Sequence, residues 1–284
     1  MDTNNKSIEG YFSTIDTLNG IHFVNFEKKE LKELESLLKI DEKEKYGKYK
    51  SKQGLKYFYK YGEMHHVISS LNSTKPYLFF QNPTKWDDPF EKYFIEATYA
   101  SSPFPLKEKL VCTCLTANKD CESQWLRYSD NLCLQMRLNA NFFLKSLMSF
   151  TKSYDIYVGK INYCIQTDIL SSNISDVFDI CYKIKTIRSN DLTTGKFKRE
   201  LQILLLLLKR NAFAYEKEIR IIMIPKKKRN LIDPIKIYLP LNTICEQVTI
   251  SPKSGPELRG IFKNALKQKV QFSHLYTKIH KHNF

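Results

Sequence analysis

Two glutamates, Glu216 and Glu218, stand where the polar run Phe213-Ala214-Tyr215-Glu216-Lys217-Glu218-Ile219-Arg220 passes into the apolar segment Ile221-Ile222-Met223-Ile224, which Pro225 ends. In an extended chain residues i and i+2 share a face, so the spacing predicts both carboxylates on one side of a sheet and Tyr215, Lys217 and Ile219 on the other. Two acids on one face suggest a functional site. The same pattern also describes two solvated acids at a strand mouth, with Arg220 as their partner. Of the two acids, Glu218 is the expected catalytic group, because it lies nearer the buried segment that would hold it rigid.

Three further segments have compositions that go beyond packing. Tyr59-Lys60-Tyr61 sets a cation between two aromatics on a strand, either as a ligand contact or as an ordinary strand edge. Trp86-Asp87-Asp88-Pro89-Phe90-Glu91 places three acids among two large aromatics. Such acids can bind metal, hold neighbouring cations or cap a helix, and Asp88 before Pro89 is a standard helix opening. Ser123-Gln124-Trp125-Leu126-Arg127-Tyr128 has the spacing of a helical turn that brings Trp125 toward Tyr128 and Ser129.

Other chemistries lack their motifs. With only nine glycines there is no GxGxxG and no GxxxxGK(S/T), and a serine-hydrolase elbow is missing. Cys112, Cys114 and Cys121 are close but lack a matching second pair, so buried strand cysteines are expected in preference to zinc. His65 and His66 are adjacent, which on a regular element points side chains apart and makes them a poor metal pair.

The elements that must position these residues follow from periodicity. Residues 1–54 read as an arm containing a strand-like stretch from Ile21 to Phe26 and an amphipathic helix with Leu31, Leu34, Leu37 and Leu38 at helical spacing. Residues 55–284 read as a single α+β domain. Strands are expected over Lys56–Tyr61, Tyr77–Phe80, Leu110–Leu115, Cys133–Leu138, Gly159–Cys164, Ile219–Ile224, Ile235–Leu239, Gln247–Ile250 and Val270–Tyr276. Short helices fit His65–Leu71 and Ser123–Tyr128, a mainly helical portion Ile174–Arg210, and a basic helix Pro256–Lys269. The order strands, helices, strands predicts a mixed or antiparallel sheet with helical insertions.

Lys plus Arg total 45 against 30 acids, a net charge of +15 and a pI near 9.3. That field favours polyanions such as RNA or DNA, although the basic residues are dispersed rather than gathered on one helix. The first thirty residues carry no apolar signal-like region, and seven cysteines without an export signal fit a reducing compartment. The longest strongly apolar run, Leu201 to Leu208, falls far short of the roughly 20 residues a membrane span needs. A cytoplasmic protein with no membrane association is expected.

The ordered set Tyr59-Lys60-Tyr61, Trp86 to Glu91, Cys114-Leu115-Thr116, Trp125-Leu126-Arg127-Tyr128, Ile161-Asn162-Tyr163, Tyr215 to Arg220 and Ile250-Ser251-Pro252 resembles the bacterial domain-of-unknown-function family 2971. That family's usual forms are YxY, FNDPFE, a CFS-like strand, MWxxYA, VxY, W-x-YE-x-E-x-R and a closing IxxGP. Here Asp87 replaces Asn, Gln124 replaces Met, Ser129 replaces Ala, Phe213 replaces Trp, and Ser251-Pro252 weakens the closing motif. The family is similar to abortive-infection proteins of the AbiGi type, which implies phage defence or a toxin–antitoxin system, with a cognate antitoxin or defence-complex protein as partner.

A second similarity is to ADP-ribosyltransferases, which place a basic residue on an opening strand, an aromatic stacked on nicotinamide and a late ExE at a strand head. It implies an ADP-ribosyltransferase-like fold and NAD as substrate. In that resemblance Glu218, Glu216 and Tyr128 are catalytic, and Tyr59, Lys60, Tyr61, Asp88, Glu91, Trp125, Ser129 and Arg220 surround the cofactor, with no metal. Glu216 then orients the acceptor, Tyr128 stacks, and Lys60 faces the pyrophosphate. Two rival readings are a non-catalytic antitoxin or partner-binding module, and a metal-dependent nuclease built from Asp87, Asp88, Glu91, Glu216 and Glu218.

Overall fold

Segments whose apolar residues alternate with polar ones, or run unbroken for six to eight residues, become the strands. The computed structural model describes residues 23–25, 56–86, 88–89, 91–92, 110–128, 132–165, 203, 206–227, 234–255, 257–273 and 275. Its strands are β1 (Phe23–Asn25), β2 (Tyr57–Glu63), β3 (Tyr77–Phe80), β4 (Val111–Thr116), β5 (Cys133–Asn139), β6 (Tyr154–Lys160), β7 (Asn162–Ile165), β8 (Leu208–Arg210), β9 (Glu218–Pro225), β10 (Ile235–Tyr238), β11 (Cys245–Ile250) and β12 (Lys269–Phe272). Eight of them form one sheet in the order β1-β6-β9-β4-β2-β5-β11-β12. Only β11 and β12 pair in parallel in this sheet; its other neighbours are antiparallel. Two small sheets, β10-β3 and β7-β8, complete the strands of the described residues.

Strand β9, between β6 and β4, is buried on both faces because a core packs on each. Ile219, Ile221 and Met223 join the main core with Phe58, Leu115 and Met136, while Ile222 and Ile224 join a second core with Tyr157, Leu206 and Leu207. The main core is closed by α1 (Met64–Asn72), through Val67 and Leu71, and by α3 (Ala140–Leu147), through Phe143, Leu144 and Leu147. Between them in sequence lies α2 (Glu122–Tyr128), and the chain continues through α4 (Leu241–Ile244) and α5 (Glu257–Ala265). Asn139 opens α3 by accepting the Phe142 N–H at 3.2 Å. No helix of the described residues is long and apolar enough to cross a membrane.

This is an α+β architecture with a mostly antiparallel sheet, as the sequence predicts. Several local expectations are corrected. The single strand expected over Gly159–Cys164 is two: β6 ends at Lys160, the Ile161 N–H donates to the Glu218 carbonyl at 3.0 Å, and β7 turns away to pair with β8. The helical portion expected to run to Arg210 has instead become β8 by Leu208, where the parallel partner β7 outweighs the helical preference of leucine. Both α3 and the greater part of β6 escaped the periodicity reading. Part of the Ile21–Phe26 stretch does add a strand, β1, to the edge of β6. The amphipathic helix expected around Leu31–Leu38 and the start of the Ile174–Arg210 portion lie outside the described residues.

Gly159 sits opposite Arg220 in the β6–β9 register, on the face of the second core. A Cβ there would meet Leu207 Cδ1 at 2.4 Å and Cγ at 3.2 Å. Leu207 is fully buried and has little room to swing away. Gly159→Ala is therefore expected to destabilise the fold by about 1–3 kcal/mol through overpacking, read as a lower urea midpoint at unchanged slope.

Candidate active site

Strands β2 and β4 are neighbours in the sheet yet share only one residue pair, Tyr59 with Thr116. Beyond it they splay. Cys112 exchanges both backbone bonds with Gln81 instead, each at 2.8 Å, so the carbonyls of β4 that would have faced β2 need other partners. Lys60 supplies one: its Nζ donates to Thr113 Oγ1 at 2.9 Å and to the Cys114 carbonyl at 3.3 Å. Burial pushes this ammonium below the ordinary lysine range, partly offset by Cys114 and Glu218. The splay opens a cleft of about 550 Å³ whose walls include Tyr59, Lys60, Tyr61, Arg127, Lys209, Glu216, Glu218 and Arg220.

The two glutamates enter this cleft by a route the sequence did not anticipate. Glu216 ends a 3-10 turn (Asn211–Glu216), Lys217 takes a left-handed conformation with φ 43°, and β9 begins only at Glu218. Backbone contacts hold that corner. Thr116 Oγ1 donates to the Glu216 carbonyl, the Ala117 N–H donates to the Lys217 carbonyl at 3.2 Å, and the Glu218 N–H donates to the Tyr163 hydroxyl at 2.7 Å. Glu216 and Glu218 thus do not share the face of one strand as their spacing predicts, yet both carboxylates converge, at 2.6 Å (Glu216) and 2.9 Å (Glu218), on the single ammonium of Lys209.

Arg220 binds Glu218 through Nε at 2.6 Å, donates to Glu91 and to the Leu206 carbonyl, and lays its guanidinium 4.1 Å from the Trp86 ring centre. Arg127 reaches Glu216 from α2 at 2.6 Å, and Arg210 holds Asp88 at 3.1 Å. The Asp88 carbonyl accepts the Lys92 N–H at 3.0 Å, the first bond of the helix that Pro89 opens. Solvated acids at a strand mouth are excluded: Glu91, Glu216, Glu218, Lys209 and Arg220 are 6, 2, 5, 3 and 1 % exposed.

This network drives the two carboxylates in opposite directions. Burial alone would raise the Glu218 pKa, but Arg220 and Lys209 outweigh it and hold the group well below the carboxylate range. For Glu216 burial prevails over Lys209 and Arg127, with Glu218 adding to it, and the pKa rises. Lys209 would be lowered by burial, yet Glu218 and Glu91 carry it above the usual lysine value. Cys114 is pushed far up by burial and by Glu218, which leaves it an uncharged thiol beside that carboxylate.

The remaining sequence-predicted residues divide. Tyr61 packs edge-on against Trp125 at 4.8 Å, its hydroxyl accepts the Cys121 N–H at 2.9 Å, and Trp125 Nε1 donates to Asp120 at 2.7 Å. Trp125 is fully buried and serves to dock α2 on the sheet. Tyr128 closes α2, but its side chain lies outside the described residues, as do Asp87 and Ser129. Lys209 and Arg127 are the site residues the sequence reading missed. The available signal was a Lys-Arg pair directly after a long leucine run, with no glycine or proline to turn it into solvent. His65 and His66 do not point apart: their ring centres are 3.9 Å from each other, and with Glu63 their ligating atoms lie within 4.8 Å on the exposed rim. No protein-family model matches the chain, and neither a curated protein nor a solved structure does.

Because the Glu218 pKa is depressed on folding, its stabilisation is complete above the unfolded value of about 4.3 and is lost as pH falls below it. Lys209→Met removes the ammonium between the two carboxylates and leaves Glu218 with Arg220 and Glu216 with Arg127, so the two acids repel each other more strongly. A loss of about 3–5 kcal/mol is expected at pH 7, shrinking toward pH 4.5 as Glu216 takes up a proton. Urea denaturation of both proteins at the two pH values checks this; a pH-independent difference would refute the convergence.

Proposed function

We propose that the chain is an NAD-consuming, ADP-ribosyltransferase-like enzyme of bacterial phage defence or of a toxin–antitoxin system, acting on nucleic acid or a host protein. The observation that carries this reading is the pair Glu216 and Glu218, converging on Lys209 at the wall of one cleft with pKa values driven apart. Environments that separate two neighbouring carboxylates in this way assign one to charge stabilisation and the other to proton transfer.

Glu218 stays ionised and faces the charge that develops when the bond between nicotinamide nitrogen and ribose C1′ breaks. Nicotinamide leaves with the bonding pair, and the ribose becomes oxocarbenium-like. Glu216, whose proton affinity is raised, takes the proton of the acceptor hydroxyl or amine as the new bond to C1′ forms. Arg127, with 36 % of its side chain exposed, stands on the cleft wall where a pyrophosphate can pair with it. Lys60 contributes differently from the expectation, since its ammonium braces the seam between β2 and β4.

The rivals fit less well. A non-catalytic module has no need of Lys60 and Glu218 lining one cleft. For a metal-dependent nuclease, Glu91, Glu216 and Glu218 are interleaved with Lys209 and Arg220, which already supply the countercharge that clustered acids would offer to a metal.

Incubation of the purified chain with NAD, with and without a nucleic-acid acceptor, is expected to release nicotinamide. Glu218→Gln should lower the rate about 100-fold or more, and Arg127→Ala, which leaves Glu216 paired with Lys209, should raise the KM for NAD about tenfold. A folded wild-type chain that releases no nicotinamide, or a Glu218→Gln variant with wild-type turnover, overturns the assignment.

A further inference from the structure

Strands β3 and β10 pair antiparallel, with Tyr77 opposite Tyr238 and Phe79 opposite Lys236. Leu78, Phe80 and Ile237 point into the main core, so by alternation Tyr77, Phe79, Lys236 and Tyr238 share the outer face. On that face the rings form an edge-to-face series, in which Tyr77 is buried and its neighbours Tyr238, Phe79 and His66 reach the surface to different extents. Tyr238 meets Tyr77 at 6.2 Å, Tyr77 meets Phe79 at 5.1 Å, and Phe79 meets His66 of α1 at 5.4 Å. Lys236 Nζ lies 4.5 Å from the Tyr77 ring centre and 5.9 Å from that of Phe79. Cross-strand packing accounts for the pairs within the ribbon, but not for the extension to His66 or for a Tyr238 that is 53 % exposed. One end of the series is also a wall of the cleft, since Phe79 and His66 both line it, as does the exposed Lys85.

We propose that this face is a stacking platform for a single strand of nucleic acid and leads it into the cleft. The exposed rings of Tyr238 and His66, the half-buried Phe79 and the exposed cations Lys236 and Lys85 beside them suit unpaired bases and the phosphates between them, whereas a duplex hides its base faces. The net charge of +15 supplies the long-range attraction for that partner. As a binding site the platform stands by itself; as the route for an acceptor it rests on the transferase reading above.

Fluorescence anisotropy with a labelled oligonucleotide of about ten nucleotides, as single-stranded DNA, single-stranded RNA and duplex, tests the proposal. The wild-type chain is expected to bind a single strand more tightly than the duplex. Tyr238→Ala, at an exposed position, should weaken single-strand binding about fivefold or more and leave duplex binding unchanged, and Lys236→Gln should flatten its salt dependence. Equal binding of single strand and duplex, or wild-type affinity in both variants, overturns it. Nicotinamide release without oligonucleotide, measured on the same proteins, separates the two readings. A wild-type chain inert toward NAD whose single-strand binding still depends on Tyr238 sinks the transferase and upholds the platform; NAD turnover with Tyr238-independent binding does the reverse.

Discussion

Ionised groups removed from water must find partners or the fold does not close. Lys209, Arg220, Glu91, Glu216 and Glu218 are all nearly inaccessible, and each alone would cost several kcal/mol to bury. Their partners come from separate parts of the chain: the helix that Pro89 opens, strand β8, the 3-10 turn before Lys217 and the head of β9. None of these pieces can dock before the others without stranding a charge. The cluster therefore acts as a cooperative lock on one face of the sheet, and its geometry sets that of the cleft wall. A replacement by apolar residues of equal volume would satisfy packing equally well, so retaining five buried charges asks for a use beyond stability.

Legibility in the sequence followed the physics that each residue obeys. Burial of Ile221 to Ile224 as a strand could be read directly, because a short isoleucine-rich apolar run closed by proline has few other fates. The importance of Glu216 and Glu218 was also legible, but for the wrong geometric reason: the left-handed turn at Lys217 depends on contacts from Thr116 and Ala117, about a hundred residues away. Lys209 was hidden because a cation after a leucine run looks like the solvated end of a helix. Only the parallel partner β7 turns it inward. The His65–His66 pair shows the limit of adjacency rules at a helix start, where two long side chains bent the same way by Glu63 and Phe79 come together.

The cleft and the aromatic ribbon are products of the same defect in the sheet. Cys112 pairs with Gln81 and not with β2, which pulls β3 and its partner β10 against the edge of the opening. A single change of hydrogen-bonding partner thus creates a pocket and places Phe79 on its rim.

The solitary pairing of Tyr59 with Thr116 has a mechanical meaning as well. A sheet resists bending in proportion to the ladder bonds across each strand boundary, and here the boundary in the middle of eight strands carries one residue pair and the Lys60 strut. The ladder of the eight-stranded sheet accordingly falls into two halves, β1-β6-β9-β4 and β2-β5-β11-β12, joined by a narrow seam. Compliance of the ladder is concentrated there, and Arg127, which reaches Glu216 from a helix docked on Tyr61 of β2, links the ion cluster to the other half across that seam.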